Sequence, residues 1–216
     1  MDLDFSFVAE YWPTFLRGAW VTLELSFFGV ALGTLLGVLF ALMRISRWWP
    51  VKFLASAYIE VIRGTPMLVQ IFIIHYGLTG FGINLPPFIS GVVALTINSS
   101  AYMAEVFRAG IEAIDKGQTE AARSLGLSRG MTLRYIVLPQ AFRNMLPAIG
   151  NEFIIIIKDS SLISVIGIAE LMYNARTVQS ITFSPMEPLL VACALYFAMT
   201  FTLSRLLAVL ERKLRS

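Results

Sequence analysis

An all-α integral membrane protein with five transmembrane helices, N-terminus outside and C-terminus cytoplasmic, is the fold class that three features of the sequence predict. Of the 216 residues, 57% are hydrophobic and 14% charged, which is too apolar for an ordinary soluble domain. The apolar residues gather in five runs of about 20, the length that crosses a ~30 Å hydrocarbon core. Charges stand at the ends of those runs, and in a five-span arrangement 13 of the 17 Lys and Arg residues fall on one side. The net charge of +3 is therefore read as a topology signal and not as a nucleic-acid footprint.

At the N-terminus, Asp2, Asp4 and Glu10 stand where a cleavable signal sequence carries basic residues, so the first apolar run is expected to act as both targeting signal and first span. That run, Leu25–Met43, contains no charge. Gly29, Gly33 and Gly37 recur every four residues, which lines them on one helix face and lets a neighbouring backbone approach closely. The same face is a candidate contact with a second copy. Arg44, Arg47 and Lys52 follow, with Trp48 and Trp49 as interfacial anchors, and mark a cytoplasmic end.

Span two, about Phe53–Tyr76, contains Glu60, Arg63 and Gly64-Thr65-Pro66. Pro66 removes a helical hydrogen bond, so a kink is expected there, while Glu60 and Arg63, three apart, are expected to pair in preference to contacting the solute, with gating through the kink as a further reading. His75 precedes the uncharged outer connection Gly77–Pro87 and is read as a satisfied polar residue. Span three, about Phe88–Val106, carries Asn98 and Tyr102 on one face, where they either offer hydrogen bonds to a polar solute or join helices.

The fourth span, about Leu146–Gly167, is interrupted by Glu152, Lys158 and Asp159. Ionisable residues at membrane depth point to a functional site. Glu152 and Asp159, seven apart, share a face, and with Ser160 and Ser161 they form a surface suited to the ammonium and carboxylate of an amino acid. The structural alternative is that Lys158 neutralises one of its acidic neighbours. Glu170–Glu187 reads as an outer loop or interfacial helix. Span five, about Pro188–Leu207, leads to a tail with Arg205, Arg212, Lys213 and Arg215. The single cysteine, Cys193, excludes an internal disulfide and reads as a packing residue.

Between spans three and four lies the longest stretch that cannot be membrane-embedded, Glu120–Asn144, with Arg123, Arg129, Arg134 and Arg143 along it. Ala121, Ala122 and Leu125 favour helix, Gly126 permits a left-handed break, and Ser128 can cap a second helix expected to end before Pro139. Such a knuckle needs a groove on a partner to bury Leu125 and Leu127. Elsewhere the sequence has no phosphate-binding glycine loop, no His/Cys cluster with metal spacing and no nucleophile–base–acid set.

The order Glu120-Ala121-Ala122, three residues, Gly126, nine residues, Ile136-x-Leu138-Pro139 resembles the cytoplasmic EAA loop of membrane-spanning subunits in bacterial ATP-binding-cassette importers. Arg63-Gly64-Thr65-Pro66, Asn98-Ser99-Ser100-Ala101-Tyr102, and Gly150-Asn151-Glu152 followed by Lys158-Asp159-Ser160 are similar to the polar amino-acid branch of that family. The resemblance covers nearly the whole chain. It implies a single transmembrane domain over 1–216 with the type I importer permease fold, and a coupling loop at about 116–144. It also implies a multi-pass protein of the bacterial cytoplasmic membrane, in contact with lipid, with no enzymatic site and no nucleic-acid partner.

Implied partners are a second permease (the same chain or a similar one), a dimer of cytoplasmic ATPases that bind ATP and Mg, and an extracytoplasmic binding protein that delivers the solute. By carry-over, Glu120, Ala121, Ala122 and Gly126 match the coupling loop. Asn98, Tyr102, Glu152, Lys158, Asp159, Ser160 and Met67 match the region that holds an amino acid. A carboxylate at Glu152 favours arginine, lysine or histidine, with glutamine and cystine as further solutes. Two other classes remain open at this level: an ion-coupled secondary transporter or channel, and a membrane scaffold whose buried charges stabilise assembly.

Overall fold

Helix α1 (Val8–Arg44) lies along α5 (Pro87–Glu112), and three glycines set the distance between them. A methyl group at Gly29 would stand 2.7 Å from Leu95 Cβ, and one at Gly33 would stand 2.7 Å from Ser99 Cβ. Gly37 faces Met103 in the same way. Both partners thus advance by four residues, so the two helices run in register and the small residues admit the neighbouring backbone. The glycine face is consumed inside the chain, which corrects its reading as a contact with a second copy.

The protein is described over residues 3–215 by a computed structural model, in which every regular element is helical. Asp2, one of the acidic residues read near the N-terminus, lies outside the described residues. Helix α1 begins at Val8 and not near Leu25: its 37 residues rise ~55 Å, well beyond a ~30 Å core. Glu10 and Arg17 ride on exposed positions of its first turns, which is why the apolar run alone understated its length.

The second predicted span is broken. Helix α2 (Trp49–Arg63) and the segment Met67–Gly80 meet at 108° across Gly64-Thr65-Pro66. That segment consists of α3 (Met67–Phe72), a wide turn at Ile73–Gly77 and the short α4 (Leu78–Gly80). Helix α5 follows, then α6 (Lys116–Ser124) and α7 (Arg129–Thr132) in the polar connection. A wide turn at Leu133–Val137 carries the chain into α8 (Leu138–Asp159). Pro139 therefore opens a helix and does not close one, because its missing N–H is tolerated in a first turn. A tight turn over Ser160–Ile166 ends at Gly167, with φ +82°; α9 (Leu171–Thr182) and α10 (Glu187–Arg215) complete the chain.

Among the described residues, α1 and α10 are long and apolar enough to cross a membrane, and the bent pair counts as a third if taken as one span. The core gathers Leu25 and Val30 of α1, Ile71 of α3, Leu95 of α5, Ile156 of α8 and Ile163. A second cluster joins Phe15 to Leu171, Ala175 and Val178 of α9 and to Ala192 of α10. Phe27, Phe28, Leu32, Leu35 and Leu39 point outward from α1. So large an exposed apolar surface is what lipid covers in a membrane protein. Cys193 is exposed on α10, which corrects its reading as a packing residue.

Candidate solute path and coupling knuckle

Glu152 faces inward from α8, 6% exposed. Ser99 Oγ of α5 lies beside its carboxylate, yet neither Ser99 Oγ nor Glu152 Oε1 has a hydrogen-bond partner among the described residues. Orphaned polar atoms at this depth are costly and call for a polar group to meet them. Lys158 does not supply one. It is exposed and makes no ion pair with Glu152 or Asp159 among the described residues, although its charge lies near enough to act on Asp159, so the self-neutralised reading holds for neither carboxylate as a direct contact. Asp159 is half-buried where α8 tightens. Ser160 is fully buried and donates to the Ile157 carbonyl at 2.8 Å, as a residue at a tightening helix end commonly does.

On the facing elements, Asn98 is buried and donates its side-chain amide to Gln70 Oε1 of α3 at 3.0 Å. Met67 opens α3 directly after Pro66 and packs on the central core. Tyr102, one turn after Asn98, is 37% exposed, and the guanidinium of Arg63 stands over its ring at 5.4 Å. The elements brought together are α1, α3, α5, α8 and the Ser160–Ile166 turn, which all touch in the central core.

Arg63 also corrects an expected pair. Its guanidinium reaches Glu105 at 3.7 Å, while Glu60 is exposed and makes no ion pair among the described residues. Glu105 on α5 collects three cations: Arg44 at the end of α1, Arg63 at the end of α2, and Arg108 one turn along at 2.9 Å. Three helix ends are thereby tied at one carboxylate. The sequence shows Glu105 only as one acidic residue in a helix, and nothing in its spacing announces partners from other helices.

The polar connection forms the expected knuckle. Asp115 caps α6 by accepting from the Gly117 amide at 2.6 Å, and Ser128 caps α7 through the Met131 amide at 3.3 Å. Between the two helices Gly126 adopts φ +86°, the left-handed conformation that L side chains resist. Ala122 is buried, whereas Glu120 and Ala121 face outward. Leu125 is 82% exposed and Leu127 half-buried. Within the knuckle, an open cleft of about 840 Å³ is lined by Ile111, Thr119, Arg123, Arg129 and Leu133.

Two further residues escaped the sequence reading. Gln70 looks like any polar residue in an apolar run, and Glu170 like part of an outer loop. Glu170 is in fact fully buried: it accepts from the Met172 and Tyr173 amides at 2.9 and 2.7 Å, and from the Tyr196 hydroxyl at 2.7 Å. A glutamate is an uncommon helix cap, so its role carried no familiar signal. His75 Nδ1 lies 3.0 Å from Ser90 Oγ, as a satisfied polar histidine does.

Residues 33–216 match the family described as binding-protein-dependent transport system inner membrane component. The arginine transport system permease protein ArtQ of Bacillus subtilis is 40% identical, covering 100% of this chain and 99% of the relative. The glutamine transport system permease protein GlnP of Escherichia coli is also 40% identical over the same shares. A solved structure of an amino acid ABC transporter with histidines superposes with a TM-score of 0.95 at 52% identity, covering 99% of this chain and 100% of that one.

Proposed function

The chain belongs to the family of inner membrane components of binding-protein-dependent transport systems, and from that premise we propose that it is the permease of an ATP-driven amino-acid importer. Full-length similarity to amino-acid permeases supports this reading. Import powered by a separate ATPase also accounts for the solvent-facing knuckle, which an ion-coupled carrier or a scaffold has no use for.

In this reading the membrane is crossed five times: by α1, by the broken pair α2 and α3, by α5, by α8 with its terminal turn, and by α10. The distribution of basic residues supports an outer N-terminus, with the coupling knuckle and C-terminal tail in the cytoplasm. Glu120, Ala121, Ala122 and Gly126 form the surface gripped by a dimer of ATPases, which bind ATP and Mg. A second permease completes the pathway, and an extracytoplasmic binding protein delivers the solute. ATP-driven closure of the ATPases turns the cavity outward, and hydrolysis resets it inward.

The observation that carries the solute assignment is the buried Glu152 carboxylate beside Ser99, whose Oε1 has no hydrogen-bond partner among the described residues. A carboxyl buried without an ion-pair partner among the described residues favours a solute that brings a cation to it, so a basic amino acid (arginine, lysine or histidine) is favoured over a neutral one. Asn98, Tyr102 and Met67 supply the facing wall, and Lys158, Asp159 and Ser160 the end toward the Gly167 turn.

The test is the ATPase rate of the complete complex in liposomes, with binding protein inside or outside and each amino acid added singly. Stimulation by a basic amino acid is expected. A rate that no amino acid raises would overturn the importer reading, and stimulation by neutral solutes alone would overturn the assignment of Glu152.

A further inference from the structure

The break between α2 and α3 is held by two side chains, Thr65 and Gln70, and the second of them also holds a candidate solute residue. Pro66 has no amide hydrogen, so the Ile62 carbonyl, four residues earlier, loses its helical donor. Gln70 supplies the substitute. Its Nε2 donates to the Ile62 carbonyl at 2.7 Å and lies 2.9 Å from Thr65 Oγ1 and 3.1 Å from the Thr65 carbonyl. Thr65 Oγ1 itself donates to the Val61 carbonyl at 2.8 Å, so two carbonyls freed by the break are met by side chains.

Three acceptors gathered around Nε2 dictate which way the Gln70 amide points, and Oε1 is left to face α5. There it accepts the Asn98 amide at 3.0 Å. Both side chains are 6% exposed, so water does not readily replace either bond. Asn98 has no second route to the break, since Gln70 alone bridges it to Ile62 and Thr65 among the described residues.

We infer that Gln70 is a positioning residue that couples solute engagement at Asn98 to the angle of the α2–α3 break. The inference rests on the importer reading above. A solute that turns the Asn98 amide moves the donor away from Gln70 Oε1. Gln70 then either follows, leaving the Ile62 carbonyl only the long contact from Thr65 Oγ1 at 3.4 Å, or stays and leaves Oε1 bare. Bare buried polar atoms are disfavoured, so the amide plane and the break move together. Arg63, the last residue of α2, carries that motion to the ring of Tyr102 and to the Glu105 cluster.

The experiment uses the complete complex of permease, ATPase and binding protein in liposomes, with L-arginine, L-histidine and L-glutamine as probes. Gln70→Ala is expected to raise the solute concentration for half-maximal ATPase stimulation about tenfold. Added to Asn98→Ala, it should raise it no further, because both changes cut the same link. Spin labels at the exposed positions Val61 and Ile73, in a Cys193→Ser background, read the break directly. Their separation should shift with solute in the wild type and stop responding in Gln70→Ala. Should that variant fail to assemble, Gln70→Glu keeps the length and the acceptor toward Asn98 but loses the donor to Ile62, and the same loss of response is expected. A variant that lowers yield yet keeps the wild-type half-maximal concentration and label response would overturn the inference, leaving Gln70 as structural support alone. Full additivity with Asn98→Ala would overturn it too. If the wild-type complex responds to none of the probes, the importer reading fails first and this inference falls with it; if the wild type responds and the variant matches it, only the role of Gln70 fails.

Discussion

Tyr196 on α10 donates its hydroxyl to Glu170 Oε2 at 2.7 Å, and the same carboxylate caps the first turn of α9. Thr22 of α1 closes the group from the third side, its Oγ1 accepting from the Leu171 amide at 3.3 Å. One buried carboxyl group therefore joins α9 to the next helix, α10, and, through Thr22 Oγ1 at 3.4 Å, to α1, which is distant in sequence. Glu170→Ala would strip the cap from α9 and leave the Tyr196 hydroxyl buried without an acceptor. A loss of about 2–4 kcal/mol is expected in thermal unfolding of the detergent-solubilised protein, against about 1 kcal/mol for Tyr196→Phe.

The contact of α1 with α5 leads to a second expectation. At Gly33 an added methyl would lie 2.7 Å from Ser99 Cβ and 3.3 Å from the Ser100 amide nitrogen, so the helices must part to admit it. Gly33→Ala should cost about 1–3 kcal/mol of stability. Gly77→Ala is the control, because its methyl would meet only Ile73 Cγ2 at 3.8 Å, and it should change stability by less than about 0.5 kcal/mol.

At the knuckle, Gly126 has open space around it, so a substitution there is judged by the backbone and not by crowding. A β-branched side chain at φ +86° costs about 1–3 kcal/mol, whereas asparagine tolerates that region. Gly126→Val should lower co-purification of the ATPase and weaken solute-stimulated hydrolysis, and Gly126→Asn should retain most of both. Leu125→Asp leaves the backbone intact but places a charge on the most exposed apolar side chain of the knuckle. The same loss of partner is expected from it.

For the solute path, Glu152→Gln keeps the shape and removes the charge. Uptake of arginine should fall at least about tenfold, equivalent to ~1.4 kcal/mol, while any glutamine uptake should stay within about twofold. Radiolabelled uptake into liposomes at matched complex content checks this. Equal loss for both solutes would mean that the carboxylate serves the fold instead of the solute.

Much of the architecture was legible along the chain. The four-residue glycine spacing announced a close helix contact, Gly64-Thr65-Pro66 announced the break, and Gly126 between two helix-forming segments announced a left-handed turn. These signals are local: each depends on backbone preference or on the periodicity of one helix. Expectations failed where the answer lay in a partner. Glu60 was matched to Arg63 because they are three apart, yet Arg63 turns instead to Glu105, 42 residues further on. The limits of α1 and α8 were misplaced because exposed charges and a first-turn proline resemble helix ends when seen without their surroundings.

By itself the sequence determined that the chain is helical and lipid-embedded, which segments are apolar, and where the backbone must bend, because these follow from transfer free energy and from the allowed conformations of glycine and proline. Only the tertiary structure decided which helix the glycine face receives, that Glu105 gathers three arginines, that Glu170 is buried, and that Gln70 bridges Ile62 to Asn98. The reason is physical. A polar side chain in an apolar interior takes whichever partner the packed helices bring within about 3 Å, and that choice is made by the packing of helices distant in sequence.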